Sequence, residues 1–133
     1  MDIEKAEGEY LCVRFSVIKN SEEVGRARLY ILENDLHRGK MFGLMEDVFI
    51  NEDYRGEGIG SELVREIIQE ARDRNCYKLI CTSRYENKEV HMMYEGLGFR
   101  DHGKEFRINF NKWKLKENYF KATNLFLPPF FAW

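Results

Sequence analysis

The chain has 133 residues, of which 44% are hydrophobic and 33% charged, and its formal net charge is −2. This length suffices for one hydrophobic core, and the balance of apolar and charged residues is that of a globular domain rather than a disordered segment. Because acids and bases are interspersed, no basic stripe is available to neutralise a phosphate backbone, and we expect no nucleic-acid partner.

The sequence has no segment with the composition of a membrane or export signal. No apolar run approaches the roughly 20 residues that a membrane-spanning helix needs. Residues 1–8 are acidic and lack the basic-then-apolar order of a signal peptide. We therefore expect a cytoplasmic protein without membrane contact. Cys12, Cys76 and Cys81 have neither metal-site nor disulfide spacing, which predicts buried, reduced thiols.

Three strands are predicted before the first helix. Apolar and polar residues alternate over residues 11–17, which is typical of a half-buried strand, and the polar run 19–23 predicts a turn. A second strand is expected over residues 24–32. The apolar run 41–50 is long enough for a central strand.

Helices and strands alternate in the middle of the chain. Over residues 59–71 apolar side chains recur with the helical period, which predicts a helix packed on the sheet. The pattern then predicts a buried strand over 77–82, a helix over 88–95 followed by a left-handed Gly96, and a last strand over 106–110. The predicted fold class is therefore α/β (α+β), a mixed sheet flanked by helices.

A glycine-rich loop joins the central strand to the long helix, with the sequence Arg55-Gly56-Glu57-Gly58-Ile59-Gly60-Ser61. Glycines let successive backbone N–H groups turn toward one point, and a helix N-terminus adds about half a positive charge there. The loop can therefore hold a pyrophosphate, with Arg55 adding a charge-assisted hydrogen bond. Its spacing fits neither a dinucleotide fingerprint nor a Walker loop. Taken alone, a turn that only tightens strand-to-helix packing is an alternative.

A second polar motif lies on the shorter predicted helix. Asn87, His91 and Tyr94 are spaced at i, i+4 and i+7 and share one stripe. The two motifs together resemble the GNAT superfamily of N-acetyltransferases, whose signature is an R-G-x-G-x-G/A loop followed by an N-x-x-A-x-x-x-Y-x-x-x-G-F helix. The resemblance covers about residues 41–110 and departs from the pattern at Val90, where the family has a small alanine.

The resemblance implies a cleft for acetyl-CoA as cosubstrate, between a fourth and a fifth family strand that splay apart, often with a bulge in the fourth. It implies direct attack of a neutral amine on the thioester without a metal ion, with a backbone N–H near Val48 or Phe49 holding the oxyanion. The phenol of Tyr94 would protonate the departing thiolate. The implied cofactor contacts are Val48, Phe49, Ile50, Arg55, Gly56, Glu57, Gly58, Ile59, Gly60, Ser61, Asn87 and Tyr94.

The acceptor amine must be neutral before it attacks, and Glu46 and Asp47 are candidate bases because they lie just before the pantetheine-binding stretch. Alternation along a strand places them on opposite faces, and a strand-end ion pair is the alternative role for either. His91 either relays protons or is an ordinary packing or surface residue. Arg84 and Tyr85 either line the entrance for the acceptor or belong to an ordinary solvated turn.

The predicted organisation is an acyltransferase domain over residues 1–112 and an aromatic tail over residues 113–133. The family places two helices between its first two strands, for which the turn at 19–23 leaves no room. Either the family's first strand is absent here or the helices are deleted, so the N-terminal helix pair is reduced or absent. We expect the tail to cover the sheet or a second subunit, giving a homodimer.

The expected activity is transfer of an acetyl group from acetyl-CoA to a primary amine. The acceptor is open among polyamines, amino sugars, amino acids, antibiotics and protein amines, because variable loops rather than the shared motifs select it. A non-catalytic acyl-CoA-binding regulator and an oligomerising structural domain are the alternatives.

Overall fold

The computed structural model describes residues 1–35 and 39–110, and its centre is a four-stranded sheet in the order β1-β2-β3-β4. The first three strands are antiparallel, and β4 runs parallel to β3. The mixed, mostly antiparallel α/β architecture is therefore confirmed. The elements are β1 Leu11–Lys19, β2 Glu22–Glu33, β3 Met41–Ile50, a 3₁₀ turn Glu52–Tyr54, α1 Ile59–Asp73, β4 Leu79–Ile80 and α2 Lys88–Gly96.

Strands β1 and β2 form a hairpin around a two-residue turn. Lys19 pairs with Glu22, and the two residues between them, Asn20 and Ser21, have φ values of 50° and 64°. Positive φ at both central residues gives the turn whose twist fits an antiparallel hairpin. The hairpin leaves no residues for helices between these strands, as the polar run at 19–23 predicts.

Helix α1 packs on one face of the sheet and closes the hydrophobic core. Its apolar stripe recurs at helical spacing, and burial of each leucine- or valine-sized side chain stabilises the fold by about 1.5–3 kcal/mol. On β1, Val13, Phe15 and Val17 turn toward this core while Arg14 and Ser16 are exposed. The buried cluster comprises Ala27, Leu29, Ile31, Met45, Leu63, Val64, Ile67 and Ala71.

Strand β3 carries a β-bulge in its second half. Arg28 pairs with Glu46 and Arg26 pairs with Phe49, so Asp47 and Val48 both lie opposite Ala27. Asp47 has a left-handed φ of 53°. The bulge that the resemblance implies for this strand is therefore present.

Strands β3 and β4 pair over two residues and then separate. Gly43 pairs with Leu79 and Leu44 with Ile80, while β3 continues to Ile50. Since a bulge bends its strand and increases the local twist, β4 does not follow β3 any further. The splayed central strands are confirmed, and the strand predicted over 77–82 is too long.

Two other local predictions are wrong. The residue with a left-handed φ after α2 is Gly98, at 103°, whereas Gly96 is the last residue of the helix. Residues 100–110 contain neither helix nor strand, and the side chain of Phe106 is 91% exposed. Alternation over 106–110 does not suffice, because a strand without a hydrogen-bonded neighbour is unstable in water.

The chain divides into two units, Met1–Phe99 and Arg100–Trp133. The predicted boundary at residue 112 and the predicted role of the tail over 113–133 lie outside the described residues and stay predictions. Within the described residues no helix has the length and hydropathy to cross a membrane. The three cysteines are free thiols, and they are half-buried rather than fully buried.

Candidate active site

The glycine loop forms an open cradle at the N-terminus of α1. Gly56 and Gly58 have φ values of 80° and 82°, which explains why glycine is needed at both positions. A Cβ atom at either glycine would have no described neighbour within 4 Å, so a ligand can approach the backbone here. Gly58 caps α1 without a side-chain hydrogen bond, which leaves first-turn N–H groups of the helix available to an anion. The cradle therefore fits a pyrophosphate.

Arg55 is anchored beside this cradle. Its Nε donates to the carbonyl oxygen of Ile50 at 2.8 Å, and its guanidinium lies 5.6 Å from the ring centroid of Phe49. The guanidinium of Arg26 lies 4.7 Å from the same ring. Arg55 is exposed, and a guanidinium fixed through Nε keeps its terminal Nη groups in a fork suited to phosphate oxygens.

The remaining loop residues lie in different surroundings. Glu57 is exposed, and its carboxylate accepts from the Nζ of Lys19 at 3.2 Å. Ile59, Gly60 and Ser61 are half-buried. A Cβ atom at Gly60 would lie 3.7 Å from the sulfur of Met93 on α2, which is an ordinary van der Waals contact, so the packing of the two helices does not require glycine here.

Beyond the bulge, β3 presents one edge of its backbone to the gap between the splayed strands. Phe49 pairs with Arg26, and the N–H of Asn51 donates to the carbonyl of Val24 at 2.7 Å, so these two residues face β2. Because hydrogen-bonding direction alternates along a strand, Val48 and Ile50 face the opposite edge. An extended ligand can therefore add to β3 along this edge.

Tyr94 lies half-buried on α2, and its ring centroid is 5.3 Å from that of Phe99. Burial raises the pKa of the Tyr94 phenol well above its usual range, and the charges of Cys81 and Glu46 raise it further. Burial, followed by the charge of Glu46, also raises the pKa of the Cys81 thiol to about 11. The phenol and the thiol are therefore both protonated at neutral pH.

The two candidate bases occupy one face of the sheet rather than opposite faces. Glu46 is the cross-strand partner of Arg28, and Asp47 Oδ2 lies 3.9 Å from Arg28 Nε. The prediction from alternation is wrong because the bulge interrupts the alternation at Asp47. Asp47 makes an ion pair, as in its alternative role, whereas the charge of Glu46 contributes to raising the pKa of Tyr94 and of Cys81.

The second motif is divided between two kinds of contact. Asn87 is the N-cap residue of α2, but its half-buried side chain caps no helical N–H group. His91 Nε2 lies 2.8 Å from the carbonyl oxygen of Arg84 and 3.1 Å from Ser83 Oγ, so it ties the loop before α2 to the helix. This contact favours the packing role of His91. Tyr85 is exposed, as a solvated turn residue would be.

Cys81 is the site residue whose surroundings the sequence did not predict. The residue follows β4 directly, at the point where the splayed strands separate. An apolar run that is interrupted by a polarisable residue immediately after a central strand was the available signal. The sequence pattern indicates only a buried thiol, whereas in the structure Cys81 packs against the core, as Tyr94 does, and its charge raises the pKa of Tyr94.

Known proteins resemble this chain in sequence and in fold. The sequence model of the acetyltransferase (GNAT) family matches residues 2–99. A glucosamine 6-phosphate N-acetyltransferase of Trypanosoma brucei brucei is 35% identical over 86 residues, which are 65% of this chain and 56% of that protein. The thialysine N-epsilon-acetyltransferase of Bos taurus is 32% identical over 73 residues, 55% of this chain and 42% of that protein.

Among solved structures, a putative acetyltransferase from Agrobacterium tumefaciens superposes with a TM-score of 0.69 at 31% identity, covering 74% of this chain and 68% of that one. The chain spans about half the length of the curated relatives it matches. The residues matched by the family model include the glycine cradle, strand β3 and helix α2 with Tyr94. The chain therefore belongs to the acetyltransferase (GNAT) family.

Proposed function

We propose that this chain is an N-acetyltransferase, which transfers an acetyl group from acetyl-CoA to a primary amine by direct attack within a ternary complex. The observation that carries the proposal is the free edge of β3 leading into the uncapped N-terminus of α1, with the protonated phenol of Tyr94 on the next helix. Family membership and the names of the relatives support it.

The cosubstrate would be held mainly by backbone groups. The pyrophosphate occupies the cradle of Gly56 and Gly58, where the α1 dipole and Arg55 offset its charge. The amides of the pantetheine arm pair with Val48 and Ile50 as an added strand would. Acetyl-CoA supplies the activated thioester.

Tyr94 would supply the proton that the leaving group needs. The amine nitrogen forms a bond to the acetyl carbon, the carbon–sulfur bond breaks, and the proton on the Tyr94 oxygen moves to the sulfur. Because its pKa is raised, the phenol keeps this proton over the whole neutral range. A positioned acid of this kind contributes about 10²–10⁴-fold to a rate.

Glu46 would accept the proton that the amine gives up, directly or through water. The negative charge of its carboxylate contributes to raising the pKa of both Tyr94 and Cys81, whereas the carboxylate of Asp47 lies 3.9 Å from Arg28 Nε. A proton passed from Glu46 to the Tyr94 phenolate would restore both groups for the next turnover. Of the two candidate bases we therefore choose Glu46, because the Asp47 carboxylate is already paired with Arg28.

The test is a thiol-release assay combined with calorimetric titration of acetyl-CoA. Glucosamine 6-phosphate is the first acceptor to try, followed by thialysine, because relatives carry these names. The variant Tyr94→Phe should lower kcat about 10²–10⁴-fold while the Kd for acetyl-CoA changes less than about threefold. Tyr10→Phe is the matched control, since Tyr10 is an exposed tyrosine before β1, and it should behave as the wild type.

Each other outcome would change the assignment. Acetyl-CoA binding without thiol release across a broad amine panel would favour the non-catalytic acyl-CoA-binding regulator. Absence of binding to the wild type would reject both readings and leave the oligomerising domain. Equal turnover by wild type and Tyr94→Phe would remove Tyr94 from the chemistry while leaving the enzyme.

A further inference from the structure

Asp47 has a backbone conformation that few residues adopt inside a strand. Within residues 1–35 and 39–110, four non-glycine residues have a positive φ. Asn20 and Ser21 form the hairpin turn and Asn75 follows the end of α1, so Asp47 is the member of this group that lies within a strand. Aspartate tolerates the left-handed region because its short polar side chain can bond locally, whereas alanine and branched residues do not.

The bulge at Asp47 decides which backbone groups face the gap. Before it, Met41 and Gly43 face β4, since Gly43 N–H donates to the carbonyl of Lys78 and the Met41 carbonyl accepts from the N–H of Tyr77, both at 2.9 Å. Uninterrupted alternation would direct Asp47 and Phe49 to that edge. The extra residue moves the alternation by one, so Val48 and Ile50 face it instead.

Arg55 depends on the same register. Its Nε donates to the Ile50 carbonyl, which is directed to the gap side only because the bulge precedes it. The bulge therefore aligns two parts of the candidate site, namely the strand edge for the pantetheine arm and the arginine beside the glycine cradle. If β3 lacked the bulge, both the strand edge and Arg55 would be misplaced.

The ion pair of Asp47 contributes less to this arrangement than its backbone does. The side chains of Arg28 and Asp47 are 37% and 43% exposed at a distance of 3.9 Å, and an exposed pair of this kind changes an equilibrium by at most about fivefold. Left-handed φ, by contrast, disfavours an ordinary L-residue by about five- to thirtyfold. The Arg28 guanidinium also donates to the Cys12 sulfur at 3.7 Å, so the position of Arg28 does not depend on Asp47 alone.

We propose that Asp47 is a positioning residue rather than a proton acceptor: it fixes the bulge that presents the backbone of Val48 and Ile50 to an acyl-CoA arm. This inference rests on the proposed function. It assigns to the two acids of the Glu46-Asp47 pair different tasks, the first chemical and the second conformational.

The experiment compares Asp47→Gly, Asp47→Asn and Asp47→Ala by acetyl-CoA titration, by KM and kcat, and by the pH profile of kcat. Glycine and asparagine both accept a left-handed φ, so their KM for acetyl-CoA should stay within about threefold of wild type. The pH profile of kcat should be unchanged. Alanine, which removes the same charge as glycine but resists the conformation, should raise Kd and KM about five- to thirtyfold.

Asn75→Ala is the matched control, because it places alanine at a φ of 56° outside the strand. It should reduce stability without changing KM. If Asp47→Gly and Asp47→Asn lose kcat about a hundredfold or more and lose the acid limb of the profile at unchanged KM, Asp47 is the base and the proposal fails. These two variants decide that point even if Asp47→Ala does not fold.

Two further outcomes would overturn the inference. If Asp47→Ala folds and binds acetyl-CoA as tightly as Asp47→Gly, the strand does not depend on the left-handed residue. If the wild type itself binds no acetyl-CoA, the proposed function and this inference fail together. If the wild type binds acetyl-CoA but the three Asp47 variants bind it equally well, only this inference fails.

Discussion

Replacing Gly58 by alanine tests the glycine cradle most directly. Gly58 has a φ of 82°, and a Cβ atom there would meet none of the described residues within 4 Å, so the change introduces backbone strain without a clash against them. The left-handed conformation costs an L-residue about 1–2 kcal/mol, and the stiffer unfolded chain offsets about 0.4–1 kcal/mol of it. We expect the free energy of unfolding to fall by about 0.5–1.5 kcal/mol.

The same strain should weaken acetyl-CoA binding. A surface loop with open space can relieve the strain by rotating the peptide, which directs its N–H group away from the pyrophosphate. If the binding-competent conformation becomes 1–2 kcal/mol less favourable, Kd rises by about five- to thirtyfold. Calorimetry gives Kd, and urea unfolding of the same preparation gives stability.

Gly39→Ala is the control that separates strain from binding. Gly39 has a φ of 73°, and a Cβ atom there would also have no described residue within 4 Å, but it lies between β2 and β3, outside the cradle. It should lose a similar amount of stability and keep the wild-type Kd. Equal weakening of binding by both alanine variants, or unchanged Kd in Gly58→Ala despite lost stability, would refute the assignment of the cradle.

Three further predictions concern the core, the thiol of Cys81 and the tail. Gly43→Ala should destabilise the fold by about 1–3 kcal/mol in urea unfolding, because the new Cβ atom would lie 2.9 Å from the Cδ1 atoms of both Leu29 and Leu79; an unchanged midpoint would contradict this packing. Since the pKa of the Cys81 thiol is raised from 9.0 to about 11, Cys81 should react with iodoacetamide near pH 8 about a hundredfold more slowly than an unperturbed thiol. The stability that the protonated thiol contributes should be complete below about pH 9 and should be lost as the pH rises toward 11. Rapid labelling of Cys81 in the native protein, or a Cys81→Ser variant with the same alkaline loss, would count against the burial. Light scattering should find the full chain dimeric and a truncation after Lys112 monomeric, and monomers in both preparations would exclude the predicted role of the tail.

The sequence predicts the long strands and helices well, because the spacing of their apolar residues matches the period of the element and those residues are the buried ones. Strand β3 begins and ends at the predicted residues, Met41 and Ile50, and α1 begins at the predicted Ile59. In both, many consecutive positions share one pattern, so a local exception does not change the assignment. The glycine loop precedes α1 and Tyr94 lies on α2, as the two motifs predict, whereas the roles that the resemblance implies for them stay predictions.

The failures arise where hydrogen-bonding partners, rather than burial, decide the structure. The apolar run 77–82 indicates a buried segment, but only Leu79 and Ile80 have a neighbour on β3. The exposed residues 106–110 alternate without forming a strand. At Asp47 the rule of alternation itself does not apply, and the one available signal was an aspartate, a residue depleted in strand interiors, within an apolar strand.

The one-sided pairing of β3 has a consequence for hydrogen exchange. The N–H of Asn51 is bonded to β2 and should be protected in the free protein. The N–H groups of Val48 and Ile50 face the gap, so they should exchange rapidly although they lie between slow neighbours in the same strand. If an acyl-CoA arm adds to this edge, the amides of Val48 and Ile50 should become protected when the ligand is added. Fast and slow amide exchange would then no longer alternate along β3, and all of its amides would exchange slowly.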